Sequence, residues 1–86
     1  MLEQEATVRN KLGIHARPSA LLVQRASGFA SAITLIRDDL EVNGKSIMGV
    51  MMLAAEAGAN IRVRTEGPDE EVALKEMVGA IQSEFD

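Results

Sequence analysis

The 86-residue chain has no cysteine, tryptophan or tyrosine, only two prolines and two phenylalanines, and a single histidine. Each shortage removes a class of function. Without cysteine neither disulfides nor thiolate metal sites can form. One histidine is too few to build a zinc site, so no metal and no other cofactor is expected. A net charge of −4 and aromatics limited to Phe29 and Phe85 leave no basic footprint and no base-stacking platform, so direct contact with nucleic acid is not expected. The longest apolar run, Ile47 to Ala55 with its glycine counted, falls far short of the roughly 18 residues of a membrane span, and no membrane insertion is expected. No basic-then-apolar leader opens the chain, which makes the cytoplasm the expected location.

A chain of this length is expected to form one domain, residues 1–86, which buries only about 60 to 65% of the surface its unfolded form exposes. It has room for one core and none for a deep cavity. That favours a reactive group offered on the surface to other proteins over an enzyme that engulfs a substrate. No repeat, linker or low-complexity tract interrupts it.

Period-two alternation of Leu2, Ala6 and Val8 with Glu3, Glu5, Thr7 and Arg9 predicts a first strand, although Gln4 interrupts its apolar face. A loop over Asn10 to Ile14 leads to a helix over Ala16 to Ser27, with Gly28 as its C-terminal cap and Phe29 returning to the core. Leu22 and Ala26 face inward in that helix, with Leu21 and Gln24 nearer its exposed side. Ala32 to Arg37 reads as a second strand with Ile33 and Leu35 on one face, Asp38-Asp39 as a hairpin turn, and Leu40 to Asn43 as a short third strand bearing Leu40 and Val42. Asn43-Gly44 marks the exit. A short helix with Ser46 as N-cap then ends before Gly58. Asn60 to Glu66 gives a fourth strand in which Ile61, Val63 and Thr65 alternate with Arg62 and Arg64. Gly67-Pro68 turns the chain, Asp69 caps a third helix, and Glu70 and Glu71 suit its first turn. Leu74, Met77, Val78, Ile81 and Phe85 form its apolar stripe. The order βαββαβα predicts an α+β domain whose antiparallel sheet has one face covered by helices and the other open, with Thr34, Arg62 and Arg64 on the open face.

Ile14-His15-Ala16-Arg17-Pro18 holds the residues best placed for chemistry. Gly13 supplies a permissive backbone, and Pro18 fits a first helical turn that needs no amide hydrogen. His15 therefore stands at or beside the N-cap, next to unpaired amides and the positive end of the helix dipole. The terminus and the Arg17 guanidinium both disfavour a protonated ring, so the neutral, nucleophilic form is expected near pH 7. The same donors favour an anion attached to the ring. A neutral nitrogen, a helix start and an arginine are the parts that reversible phosphorylation requires, because positioning and nearby donors supply most of the catalysis in phosphoryl transfer. A lone histidine before a helix also serves as an ordinary cap, Arg17 as a solvated charge and Pro18 as a helix-start marker. The physics permits chemistry here without demanding it.

Ser46 has a role that needs no biology, since an N-cap serine contributes about 1 kcal/mol. A phosphate there would meet the positive helix end, so its effect would fall on partners rather than on stability. Met48, Met51 and Met52 suit gap-filling in a core. A helix this short cannot bury every apolar side chain, however, so some should form an exposed patch.

Leu12-Gly13-Ile14-His15-Ala16-Arg17-Pro18, followed by Asn43-Gly44-Lys45-Ser46-Ile47-Met48-Gly49-Val50-Met51, resembles the two signatures of the HPr family, the histidine phosphocarriers of the bacterial sugar phosphotransferase system. The likeness runs from about Ala6 to Ser83. It implies an open-faced β-sandwich, a four-stranded antiparallel sheet covered on one face by three helices, with strand order first, fourth, second, third. It implies that His15 accepts a phosphoryl group on Nδ1 from phosphorylated enzyme I, charged by phosphoenolpyruvate, and passes it to sugar-specific IIA domains. Arg17 and the amides of Ala16 and Arg17 would hold the phosphate. The protein would then be a phosphoryl-transfer intermediate rather than a free-standing enzyme.

The matching serine in many HPr proteins is phosphorylated by HPr kinase/phosphorylase, which lowers histidine phosphorylation and engages a transcriptional regulator; Ser46 occupies that position. Ala20, Leu21, Gln24, Ile47, Met48 and Met51 match the surface shown to enzyme I and IIA domains, with Arg17 and Lys45 adding positive charge that steers acidic partners. A monomer is expected. Gly44 and Met52 depart from the family pattern of leucine or alanine and of serine or threonine, which bears on partner preference and kinase recognition. Three alternatives stand beside this reading: a nitrogen-branch paralogue with the same chemistry, a regulatory module acting through Ser46 with His15 idle, and a metal or small-ligand binder, which lacks ligands and a cavity. Relatives of the regulatory kind carry another residue at the position of His15.

Overall fold

The period-two stretches become the strands β1 (Leu2–Thr7), β2 (Ala32–Arg37), β3 (Leu40–Asn43) and β4 (Asn60–Glu66), and the helical ones become α1 (Ala16–Ser27), α2 (Ile47–Met52) and α3 (Glu70–Ile81). The computed structural model describes residues 1–83, so Phe85, the last member of the expected α3 stripe, lies outside them.

All neighbouring strands pair antiparallel in the order β1-β4-β2-β3. This is the open-faced arrangement that the resemblance implied. Register explains which side chains share a face. Gln4, Val63, Leu35 and Val42 form one row across the sheet and face the helices, while the rows on either side, Glu3-Arg64-Thr34-Asn43 and Glu5-Arg62-Ile36-Glu41, face away. Leu35, Ile61 and Val63 are fully buried against Leu22 of α1, Val50 of α2 and Met77 and Ile81 of α3.

On the open face Arg64 bonds Glu3 through Nε and Glu41 through Nη1, the latter at 3.2 Å. Such exposed pairs add little stability and leave a face of alternating charge. Ile36 is the exception on that face. It is buried although its row is polar, sheltered between Arg62 and Glu41 in register.

Two contacts show that α1 and α2 run in opposite directions. Ahead of α1, the Ile14 amide donates to the carbonyl of Ala55, beyond the end of α2, at 2.7 Å. Beyond α1, the Phe29 carbonyl accepts from Lys45 Nζ, ahead of α2, at 2.7 Å. The chain before each helix is thus tied to the chain after the other.

The structure adds detail to several expectations. Gly28 is the C-cap of α1 but is right-handed, at φ −75°, because its amide and that of Phe29 fold back onto Arg25 and Ala26 carbonyls. Asp69 is the N-cap of α3 yet its side chain makes no capping bond. Its carboxylate instead accepts from the amides of Ala30 and Ser31, at 3.0 and 2.9 Å, and from the Ser31 hydroxyl, tying α3 to the loop after α1. Leu40 is exposed at the edge, leaving Val42 as the core residue of β3. Gly44 is buried. A Cβ there would meet Ile33 Cγ2 at 2.7 Å, so the isoleucine methyl fills the space that a larger residue would take.

Candidate functional site

Gly13 has φ +73°, which favours glycine, and a Cβ on it would lie 2.3 Å from the Ala55 oxygen. That close approach lets the Ile14 amide reach Ala55 and buries Ile14 at 5% exposure, so the next residue emerges from a fixed base. His15 is that residue. It is extended at φ −91°, ψ −166°, and is the N-cap of α1 without a side-chain capping bond. Its carbonyl accepts the Ser19 amide at 2.9 Å to begin the helix ladder.

The first turn of α1 contains no acidic residue, and helix geometry offers no intrahelical acceptor to the Ala16 and Arg17 amides. Pro18 completes the turn, buried and without an amide hydrogen. The Arg17 side chain is exposed beside this turn. His15 is partly exposed. The start of α1 thus carries a partly exposed His15, the Ala16 and Arg17 amides and an exposed Arg17, residue types suited to an anion at a helix start.

Ser46 is built for a different purpose. Its Oγ accepts the Gly49 amide at 3.1 Å, and its carbonyl accepts the Val50 amide at 2.9 Å. Asn43 prepares the approach by accepting the Lys45 amide on Oδ1 at 2.9 Å. Lys45 makes a contact that the sequence did not announce. Its ammonium is committed to the Phe29 carbonyl, at the C-terminal end of α1, where a cation complements the dipole. Through its side chain Lys45 is thus tethered to the chain just beyond the C-terminal end of α1, the helix that His15 begins.

Between the two ends lies an apolar strip. Ile47, Met48 and Met51 are 46%, 73% and 41% exposed, and Met52 is exposed as well, while only Val50 among the residues of α2 is buried. Gap-filling in the core is excluded for these methionines. Ala20 and Leu21 are half-buried and Gln24 exposed on α1, the helix packed against α2. Two further residues were given no role in the sequence reading. Leu12, in the loop beside His15, is 75% exposed, a leucine between Lys11 and Gly13 being its visible signal. Arg37 grips the chain just after α2, with no local signal at all. Beside it, the Arg37 guanidinium holds the Glu56 carboxyl below the usual carboxylate range.

Among the described residues no cluster of histidine, cysteine, aspartate or glutamate could hold a metal ion. No described helix is long and apolar enough to cross a membrane.

Comparison with known proteins places these features in a context. Residues 2–83 match the family model described as the PTS HPr component phosphorylation site. The phosphocarrier protein HPr of Xylella fastidiosa is 53% identical over 85 residues, covering 99% of this chain and 96% of the relative. A crystal structure of a phosphocarrier protein HPr from Bacillus anthracis superposes with a TM-score of 0.91 at 42% identity, covering 94% of this chain and 96% of that one. Crh of Bacillus subtilis, a catabolite repression protein solved as a domain-swapped dimer, superposes with a TM-score of 0.79 at 42% identity, covering 99% and 98% of the two chains.

Proposed function

From the premise that this chain belongs to the HPr family of phosphocarriers of the phosphotransferase system, we propose that His15 carries the phosphoryl group between two protein partners. The ring nitrogen Nδ1 attacks the phosphorus held on a histidine of enzyme I. The new P–N bond forms as the old one breaks, and the freed enzyme I imidazole keeps its electron pair. A histidine of a sugar-specific IIA domain then takes the group in the same way. Arg17 and the amides of Ala16 and Arg17 hold the equatorial oxygens, on which charge resides in the loose transition state. The observation that carries this reading is the start of α1, where His15 is an N-cap that makes no side-chain capping bond and stands beside Arg17.

Enzyme I and the IIA domains dock on Ile47, Met48 and Met51 of α2 with Ala20, Leu21 and Gln24 of α1. Thioethers repack easily, which suits one surface to several partners. Met52 extends that surface, whereas buried Gly44 does not reach it. The protein works as a cytoplasmic monomer, and the swapped dimer of Crh makes size-exclusion chromatography the direct check.

Phosphorylation of Ser46 by an HPr kinase would regulate this traffic through docking. Ser46 opens α2, so a charge on it acts on a partner lying across that helix, and a transcriptional regulator is a further partner for that form. The likeness to Crh favours a second reading, in which Ser46 alone is used and His15 is idle. An intact His15 at an open helix start weighs against it.

Incubation with phosphoenolpyruvate and enzyme I separates the readings. Acid-labile phosphate on the wild-type chain and none on His15→Ala is the expected result; equal uptake by His15→Ala defeats the proposal. Transfer onward to sugar-specific or nitrogen-branch IIA domains then identifies the branch.

A further inference from the structure

Arg37, the last residue of β2, reaches across to the turn that follows α2. Its Nη1 donates to the carbonyls of Leu53 and Ala54 at 3.1 and 2.8 Å, and its Nη2 holds both oxygens of the Glu56 carboxylate, at 2.5 and 2.8 Å. Carbonyls at a helix end lack intrahelical partners, and bonds from a guanidinium are of the strong, charge-assisted kind. Inside this grip Ala54 sits at φ +47°, a left-handed conformation that a residue with a Cβ adopts only at a cost. The next carbonyl, that of Ala55, is the one that accepts the Ile14 amide and against which Gly13 packs. His15 follows Ile14 directly. The base from which its ring projects is therefore a strained turn, clamped from the other side by Arg37.

We propose that Arg37 is a positioning residue for His15. By pinning the turn over residues 53–56 it keeps Ala54 left-handed, holds the Ile14-to-Ala55 bond, and so fixes where the imidazole meets an incoming phosphoryl group. The rate measurement below rests on the phosphocarrier reading; the exchange measurement does not.

Arg37→Ala tests this through amide hydrogen exchange and through phosphoryl transfer from saturating phosphorylated enzyme I. The Ile14 amide is expected to exchange about tenfold faster while amides at the centre of the sheet keep their protection. The transfer kcat is expected to fall several-fold with KM little changed. Adding Ala54→Gly should restore both, because glycine takes the left-handed conformation without a clamp. Arg37→Lys keeps the charge but loses the fork, so it should show the same pattern at smaller size and replaces the alanine variant if that one does not fold. Unchanged Ile14 exchange overturns the proposal, as does an even loss of protection across the sheet that Ala54→Gly leaves uncorrected. A wild-type chain that takes up no phosphate counts against the phosphocarrier reading alone, and Ile14 exchange still decides the role of Arg37.

Discussion

At the start of α2 the Ser46 hydroxyl satisfies the Gly49 amide, whereas at the start of α1 the His15 side chain makes no capping bond and the third helical residue is a proline. Both helices pack on the same sheet and on each other, yet only one start is finished internally. A cap that is made contributes stability and leaves little for a ligand to do. A start left open gives up that contribution and keeps donors available for an anion. On the proposed reading, transfer chemistry belongs to the open start and its control to the finished one.

The comparison breaks most visibly if charge at the finished end disturbs the open one directly. Ser46→Asp should raise the KM for enzyme I by about tenfold or more, through the cost of setting a carboxylate beside an apolar docking strip. Aspartate is itself a good N-cap, so the melting temperature should hold. A fall in kcat with unchanged KM would place the effect within His15 chemistry instead.

Ser46→Ala gives a smaller effect, on the fold alone. Loss of the cap should cost about 1 kcal/mol, seen as a melting point about 4 to 8 °C lower for a domain of this size. Transfer through His15 should be unchanged, since no partner loses a contact. Reduced transfer at equal folded fraction would show that the hydroxyl itself belongs to the docking surface.

The smallest effect on transfer concerns the third helix start. The Ser31 hydroxyl first, then the Ala30 and Ser31 amides, hold the Asp69 carboxyl below its usual range. A folded-state value below the unfolded one means that this stabilisation is fully present above about pH 4 and is lost as pH falls through the folded value. Asp69→Asn should therefore flatten the fall of melting temperature with acidification below about pH 4. Glu3, Glu56 and Glu70, also lowered by their partners, keep some slope in the variant. An unchanged slope would remove Asp69 from the account.

What the sequence made legible were features whose cause is local. Ile61, Val63 and Thr65 alternate with arginines because one face of β4 is buried and the other is not, and that pattern can be read without knowing what lies opposite. The Gly13 to Pro18 run announces a helix start through backbone constraints carried by the residues themselves. Ser46 before an apolar run does the same.

Features made by distant partners were not readable. Asp69 looks like a cap for its own helix, yet its carboxylate serves residues 38 and 39 positions earlier. Arg37 looks like a solvated strand end until the turn after α2 is brought beneath it, and Lys45 looks like surface charge until the Phe29 carbonyl arrives. Gly44 stood out as a departure, but only packing could show that Ile33 takes up the vacated room.

The opposed directions of α1 and α2 carry one more consequence. On the proposed reading, a visitor lying lengthwise on the pair would touch the His15 start and the Ser46 start in one footprint, so marks on both would be registered together by whatever binds, and the carrier would not need to move for either to count.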